Sequence, residues 1–364
     1  VAIVLGAAAV TTVIADSTPT LPPRSAAELL VDVQNANVAA LSGTVLQNAE
    51  LGLPDLPVQL GSRGSSDFTS LVSGTHTLKV WYAGAAQQRL ALLGTLGESD
   101  VIRNGTDVWT WSSDSNAATH YQLPPGADGA TIPDQSAAAL TPQQAADAAL
   151  AAIDPTTVVT TEGTADVAGR SAYELVLAPK DAASLIGQVR IAVDAEQHIP
   201  LRVRVLARGA SAPAFEVGFS QISFDTPSAD EFQFTPPAGA TVTESTLGHG
   251  DLAGRALPQQ QAAAPTQSGT EPTVVGTGWT SVLVAKLPSA AAAGVTGQQP
   301  DGTSPGSGGS GGLGAILGSL PQETGSWGSG RLLQSALFSV LITDDGRVIA
   351  GAVAPEKLYQ AAGQ

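Results

Sequence analysis

Residues 189–206 read VRIAVDAEQHIPLRVRVL. Val189, Ile191 and Val193 alternate with Arg190 and Ala192, and Leu201, Val203 and Val205 face away from Arg202 and Arg204. Successive side chains of a strand point to opposite faces, so each half is a strand with one apolar and one polar side. Asp194 to Pro200 supplies the polar, Pro-terminated connection between them, which makes the stretch an antiparallel hairpin. A sheet built of such units must cover its apolar face.

The same period of two recurs on both sides of this hairpin. Leu78, Val80 and Tyr82 alternate with Thr77, Lys79 and Trp81. Leu90 and Leu92 alternate with Arg89 and Ala91, and Trp109 and Trp111 share a face opposite Val108 and Thr110. Tyr173, Leu175 and Leu177 repeat the pattern, as do Phe215, Val217 and Phe219. Asn104-Gly105, Gly163, Gly169 and Pro200 punctuate the runs as hairpin connections require. No βαβ alternation is present, which disfavours a doubly wound nucleotide-binding fold.

Two stretches have helical spacing instead. Ser25 with Glu28 makes a capping box ahead of Ala26, Leu29, Leu30, Val33, Asn37, Val38 and Leu41, with Asn37 the polar intrusion. Thr141-Pro142 opens a second helix with Gln144 as box partner, and Asp154-Pro155 stops it. The spacing therefore predicts a mainly β (α+β) domain over 25–245, one bent antiparallel sheet with two plugging helices. Residues 253–272 read as a linker. A small C-terminal α+β module over 273–364 follows: a strand from Trp279 to Leu287, a hairpin from Leu337 to Val353 turning at Asp345-Gly346, and a short helix from Pro355. Its Gly/Ser-rich stretch 288–320 has too little apolar surface to order itself.

Residues 1–15, VAIVLGAAAVTTVIA, carry no charge. They are expected to be the apolar part of an export signal whose basic region lies upstream, cut after Ala15, or else a membrane anchor. Either places the remainder outside the cytoplasm.

Composition narrows function by exclusion. Sixteen Lys and Arg stand against 32 Asp and Glu, a formal net charge of -16, which repels phosphate backbones and argues against a nucleic-acid partner. The absence of cysteine removes disulfides, thiolate metal sites and thiol nucleophiles. His76, His120, His198 and His249 are isolated in sequence, with no HExxH and no helical pair, so no metal site is expected. GSGGSG at 306–311 matches GxGxxG and GGSGG at 308–312 matches GxSxG, but neither has the strand-to-helix context its chemistry needs. Asp344-Asp345-Gly346 reads as a hairpin turn rather than a calcium loop, and Asn104-Gly105-Thr106 as a turn rather than a glycan site. No cofactor and no catalytic constellation emerges.

Read segment by segment, the chain is similar to the LolA-like superfamily of lipoprotein and lipid carriers, in the exported branch of high-GC Gram-positive (actinobacterial) proteins. The capped helix is followed by LSGTVLQNAE (41–50), GTHTLKVWYAG (74–84), RLALLG (89–94) and DVIRNGTDVWTWSS (100–113). GRSAYELVLAP (169–179), the hairpin at 189–206 and FEVGFSQISF (215–224) complete the domain. GTGWTSVLVAKLP (276–288) and LLQSALFSVLITDDGRVIAGAVAPEKLYQAA (332–362) resemble the C-terminal domain of the RseB/MucB sigma-factor regulators. The resemblance implies an open half-barrel whose concave face holds acyl chains. It implies a non-enzymatic carrier or chaperone of lipid or lipoprotein acyl chains, or alternatively an envelope-stress sensor binding an anti-sigma factor or other membrane protein. The family's lid-contacting arginine matches no single position, since Arg89 and Arg103 both stand in range.

On this reading the cavity is expected among Leu78, Val80, Tyr82, Leu90, Leu92, Trp109, Trp111, Tyr173, Leu175, Val203, Phe215 and Phe219. The two tryptophans are equally readable as plain core. Leu29, Leu30 and Val33 on the first helix, with Leu150 and Ile153 on the Ala-rich second, are the expected lid contacts.

Overall fold

The computed structural model describes residues 21–54, 66–124, 141–246, 272–286 and 318–364. Residues 1–15, expected to be an export signal or anchor, all but the last residue of the expected linker 253–272, and most of the Gly/Ser-rich stretch lie outside the described residues. A first sheet has twelve strands: β1 (Leu41–Ala49), β2 (Gly74–Tyr82), β3 (Gln87–Leu93), β4 (Glu98–Asn104), β5 (Asp107–Ser112), β6 (Ala117–Gln122), β7 (Thr157–Val167), β8 (Arg170–Pro179), β9 (Ile186–Asp194), β10 (Pro200–Ala207), β11 (Pro213–Ser223) and β12 (Thr241–Thr246). Their spatial order is β12-β6-β5-β4-β3-β2-β1-β11-β10-β9-β8-β7, so the sheet is open, with β12 and β7 at its edges. All neighbours are antiparallel except β12, which runs parallel to β6.

The sheet is strongly curved. β7 comes back into contact with β11 although four strand spacings separate them in hydrogen-bond order. Flat strands would hold them roughly 19 Å apart. The concave side carries the main core, where Val45, Leu78, Leu92, Leu175, Leu177, Ile191, Leu201 and Val217 are fully buried. Each such side chain contributes about 1.5–3 kcal/mol on burial.

The hairpin at 189–206 forms with Val203 opposite Ile191 and Val205 opposite Val189, while Arg204 faces Arg190 on the outer side. Its turn is organised by Asp194, whose buried carboxylate accepts from the backbone N–H groups of Glu196 at 2.9 Å and Gln197 at 2.6 Å.

Two helices lie on the concave side. α1 (Ala26–Asn35) starts with the Ser25/Glu28 capping box, and α2 (Pro142–Ala151) starts with the Thr141/Gln144 box. α1 is shorter than its sequence spacing suggests. Ala36 already has ψ 127°, and Leu41 opens β1 opposite Tyr82 instead of closing a helical face. Nine residues of β1 pair with β2 and eight of them also with β11, and that central ladder overrides local helical periodicity.

A second sheet has the order β13-β14-β18-β17-β16-β15, built from β13 (Thr273–Val275), β14 (Val282–Lys286), β15 (Gln322–Gly325), β16 (Gly328–Gln334), β17 (Ser339–Thr343) and β18 (Arg347–Gly351). The hairpin turning at Asp345-Gly346 is present, with Gly346 at φ +83°. α3 (Pro355–Ala362) covers one face through Leu358, Ala361 and Ala362 against Leu341 and Ile349. The expected strand from Trp279 is shorter, because Gly278–Thr280 forms a turn and pairing starts at Val282. β15 and β16 have no counterpart in the sequence reading, since β15 is four mostly polar residues and β16 opens on Gly-Ser-Gly, neither showing alternation. The sheets touch where Leu185 N–H donates to Ala352 O at 2.8 Å and Ala336 N–H to Leu51 O at 2.7 Å.

Among the described residues, no helix is long and apolar enough to cross a membrane.

Candidate functional site

A hollow of about 370 Å³ opens between the concave face and the adjoining ends of α1 and α2. That volume lies in the usual range of ligand pockets, about 300–1,000 Å³. Its floor is apolar: Val80 of β2, Leu90 of β3, Val101 of β4 and Phe219 of β11, with Val38, Leu41 and Ile199 at its sides. Leu90 pairs with both Val80 and Val101, so these three form one cross-strand row on a single face. Phe219 reaches the floor because Gly43 lacks a side chain. A Cβ there would stand 2.9 Å from the Phe219 ring and 2.5 Å from Gln221 O.

The mouth is polar. Asn37 stands beside the C-terminal end of α1, Thr141, Gln143 and Gln144 at the N-terminal end of α2, and Tyr82 and Gln88 at the hairpin joining β2 to β3. Arg89 is the one charged residue among the described lining. By strand alternation its side chain belongs to the opposite face from Leu90. There its Nε donates to Asp100 at 2.8 Å, its Nη2 to Glu98 at 3.2 Å, and its guanidinium lies 5.1 Å from the Trp81 ring centre. Burial pushes the Asp100 carboxyl up to about 7, its hydrogen bond with Glu98 adds to the rise, and Arg89 opposes it.

Of the expected cavity residues, the structure brings Val80, Tyr82, Leu90 and Phe219 together around the hollow. Leu78, Leu92, Leu175, Val203 and Tyr173 are packed into the core, and Phe215 is half-buried against it. Trp109 and Trp111 require a correction. They do not line the hollow. Trp109 pairs with Ile102 and stacks on His120 at 4.3 Å, and both tryptophans contact Phe234. They lie on the face opposite the Val108 cluster, beneath the segment leading from Phe232 to β12. Neighbouring positions of β5 take opposite faces, and the pairing with β4 gave Val108 the inner one.

The two helices expected to act as a lid touch the hollow through their ends. Leu29 and Val33 are buried in the main core, and Leu30, Leu150 and Ile153 pack half-buried against it. Sequence reasoning missed Val101, Ile199, Gln88 and Gln143. Alternation across 98–104 gives Val101; the amides carry no sequence signal, because the place of Gln143 at the mouth depends on how α2 docks and that of Gln88 on how the β2–β3 hairpin curves over the hollow.

Two histidines, His76 and His120, have side-chain partners close by. His76 is buried and bonded to Ser73 O at 2.9 Å. His120 bridges Asp107 at 2.9 Å and Glu244 at 2.7 Å, fastening β12 to β5 and β6. Among the described residues, no group of three His, Asp or Glu side chains is arranged to hold a metal ion. A second hollow, about 420 Å³, lies between Ala151, Ala152 and Asp154 near α2 and Trp279 near β14. Gly, Ser and Ala make up most of its remaining lining, which gives an apolar guest little to bind.

Fold and site together define an open half-barrel with two helices beside a lined hollow, accompanied by a small helix-backed sheet. Solved structures similar to the chain include the Pseudomonas aeruginosa MucA/MucB complex (16% identity, TM-score 0.45, covering 93% of this chain and 96% of that one). MucB in complex with MucA(peri) is similar as well (15% identity, TM-score 0.43, 93% and 97%). So is a LolA superfamily protein from Nitrosomonas europaea (8% identity, TM-score 0.22, 58% and 99%). No family model and no curated protein matches the chain.

Proposed function

We propose that this chain is a non-catalytic, extracytoplasmic carrier that shelters acyl chains in the hollow beside α1 and α2. The observation that supports this reading is the apolar cross-strand row Val80, Leu90 and Val101, which floors a hollow of about 370 Å³ beneath a polar mouth. Each methylene moved from water onto such a floor contributes about 0.8 kcal/mol, so a short acyl segment is held without any chemical step. The resemblance to LolA-like carriers agrees with it. The test is displacement of a fluorescent acyl probe from the purified full chain, beside a Val80→Phe variant. The larger ring fills the floor, so probe affinity drops by about tenfold or more while Tm holds. Equal binding by both proteins, or none by either, overturns the reading.

A second function, recognition of a membrane protein's extracytoplasmic segment, has its own support. Val274, Leu283, Ala350, Val340 and Leu333 form a continuous cross-strand row on the second sheet, on the face away from α3. Val274 is 60% exposed and Leu283 44%. Apolar rows of this kind mark contact surfaces. Leu283→Asp abolishes capture of such a partner on this reading and leaves acyl-probe binding intact.

A further inference from the structure

Resting on the acyl-chain reading above, we infer that the hollow takes one alkyl tail of about ten to twelve carbons. Its ligands are then single-tailed lipids, and a two-tailed lipid seats only one of its chains.

Three successive cross-strand rows of the concave face carry the inference. Leu41, Tyr82 and Gln88 form the first, which stands at the mouth. Gly43, Val80, Leu90 and Val101 form the second, two residues further along the strands, and it is the floor. The place left by the missing Gly43 side chain is taken by the Phe219 ring, which bounds this row on the β1 side. Val45, Leu78 and Leu92 form the third row. All three are fully buried, and Leu71 of the short turn Phe68–Val72 is packed into the same core. None of these four side chains borders the hollow. The third row is therefore a wall, and it closes the inner end.

Depth and volume each set a length. From Tyr82 at the mouth to Leu78 in the wall is four residues of β2, about 13 Å at roughly 3.3 Å per residue. Carbon–carbon bonds of about 1.5 Å laid in a zigzag advance about 1.3 Å each, so this depth holds a tail of about ten carbons. A methylene is close in bulk to a water molecule, about 30 Å³ in the liquid. The 370 Å³ of the hollow therefore takes about a dozen of them. Two tails of ten carbons need more space than the hollow has. Carbons beyond the limit stay outside the mouth in water and add nothing to binding.

The experiment is competition against the fluorescent acyl probe on the full chain. The competitors are lysophosphatidylcholines with tails of six to sixteen carbons and didecanoyl phosphatidylcholine, each below its aggregation concentration. Affinity is expected to rise about fourfold per added carbon as each methylene leaves water, then to level off at about ten to twelve carbons. The didecanoyl lipid is expected to bind within about twofold of the single-tailed decanoyl lipid, because its second tail finds no space. Leu78→Ala removes part of the wall and moves the plateau out by about two carbons, a change that lost stability alone does not produce. Where that variant does not fold, the two comparisons on the unmodified chain decide. Affinity that climbs on to sixteen carbons, a didecanoyl lipid bound about tenfold tighter than its single-tailed counterpart, or an unmoved plateau in folded Leu78→Ala protein overturns the single-tail inference and leaves the acyl-chain reading standing. No displacement by any tail length overturns both.

Discussion

Arg89 and Asp100 are joined across 2.8 Å on the outer face of the large sheet, back to back with the Leu90–Val101 pair that floors the hollow. Asp100 is almost wholly buried, and burial holds its carboxyl at about 7 against a reference of 3.8. Between those values the folded chain retains a proton that the unfolded chain has released. Its contribution to stability is therefore complete below pH 3.8 and is lost as pH rises through 7. Urea midpoints measured from pH 4 to 8 are expected to show this fall. Asp100→Asn removes one linked proton and flattens the slope; an unchanged profile means Asp100 titrates like an exposed carboxylate.

Asp194 behaves in the opposite sense. Burial alone raises its carboxyl, but the Arg170 guanidinium and the backbone N–H groups of Gln197 and Glu196 outweigh that and hold it below the usual range. Its contribution is present above the unfolded value and is lost as pH falls through the lowered folded value. Arg170→Gln is expected to move the onset of acid unfolding to higher pH, followed by circular dichroism. An onset at the same pH removes Arg170 from the account.

Glu174 lies under three guanidinium groups on the outer face of β8 to β10, at 2.9 Å from Arg190, 3.4 Å from Arg202 and 2.5 Å from Arg204. Glu174→Gln leaves three cations crowded over a neutral amide and is expected to cost about 2 kcal/mol. The loss should shrink in high salt, which screens the remaining repulsion. A salt-independent loss points to packing instead of charge.

Trp279 joins the two sheets. Its Nε1 donates to Thr157 Oγ1 at 2.7 Å, and its ring packs against the main core. Trp279→Ala is expected to cost about 2–4 kcal/mol and to split a single urea transition into two, the second sheet melting first. A single transition with unchanged slope shows that other contacts carry the coupling.

Gly43→Ala tests how the floor is built. The new methyl meets Gln221 O and the Phe219 ring, so either β1 shifts or Phe219 turns. Acyl-probe affinity and thermal stability are expected to fall together. Loss of stability with unaltered binding places Phe219 outside the bound chain's path.

Much of the fold was legible because strand alternation is a local record of burial. The rows Leu78/Val80, Leu175/Leu177 and Leu201/Val203 each announce a strand and its inner face. The capping pairs Ser25/Glu28 and Thr141/Gln144 likewise mark helix starts from four residues of sequence. The helix ending was less legible, since Val38 and Leu41 satisfy a helical pattern until β2 and β11 compete for them. β16 was hidden because glycine and serine carry no alternation.

The site divides along the same line. Sequence alone determined that the chain forms a one-sided apolar sheet with two capped helices, because side-chain polarity and local hydrogen bonding need no distant partner. Only the tertiary structure decided which apolar residues stay uncovered. Leu78 and Val80 are identical in pattern, yet Leu78 is sealed into the core and Val80 borders the hollow. The difference lies in where α1 stops and α2 begins above them, a matter of sheet curvature and helix docking that no single strand records.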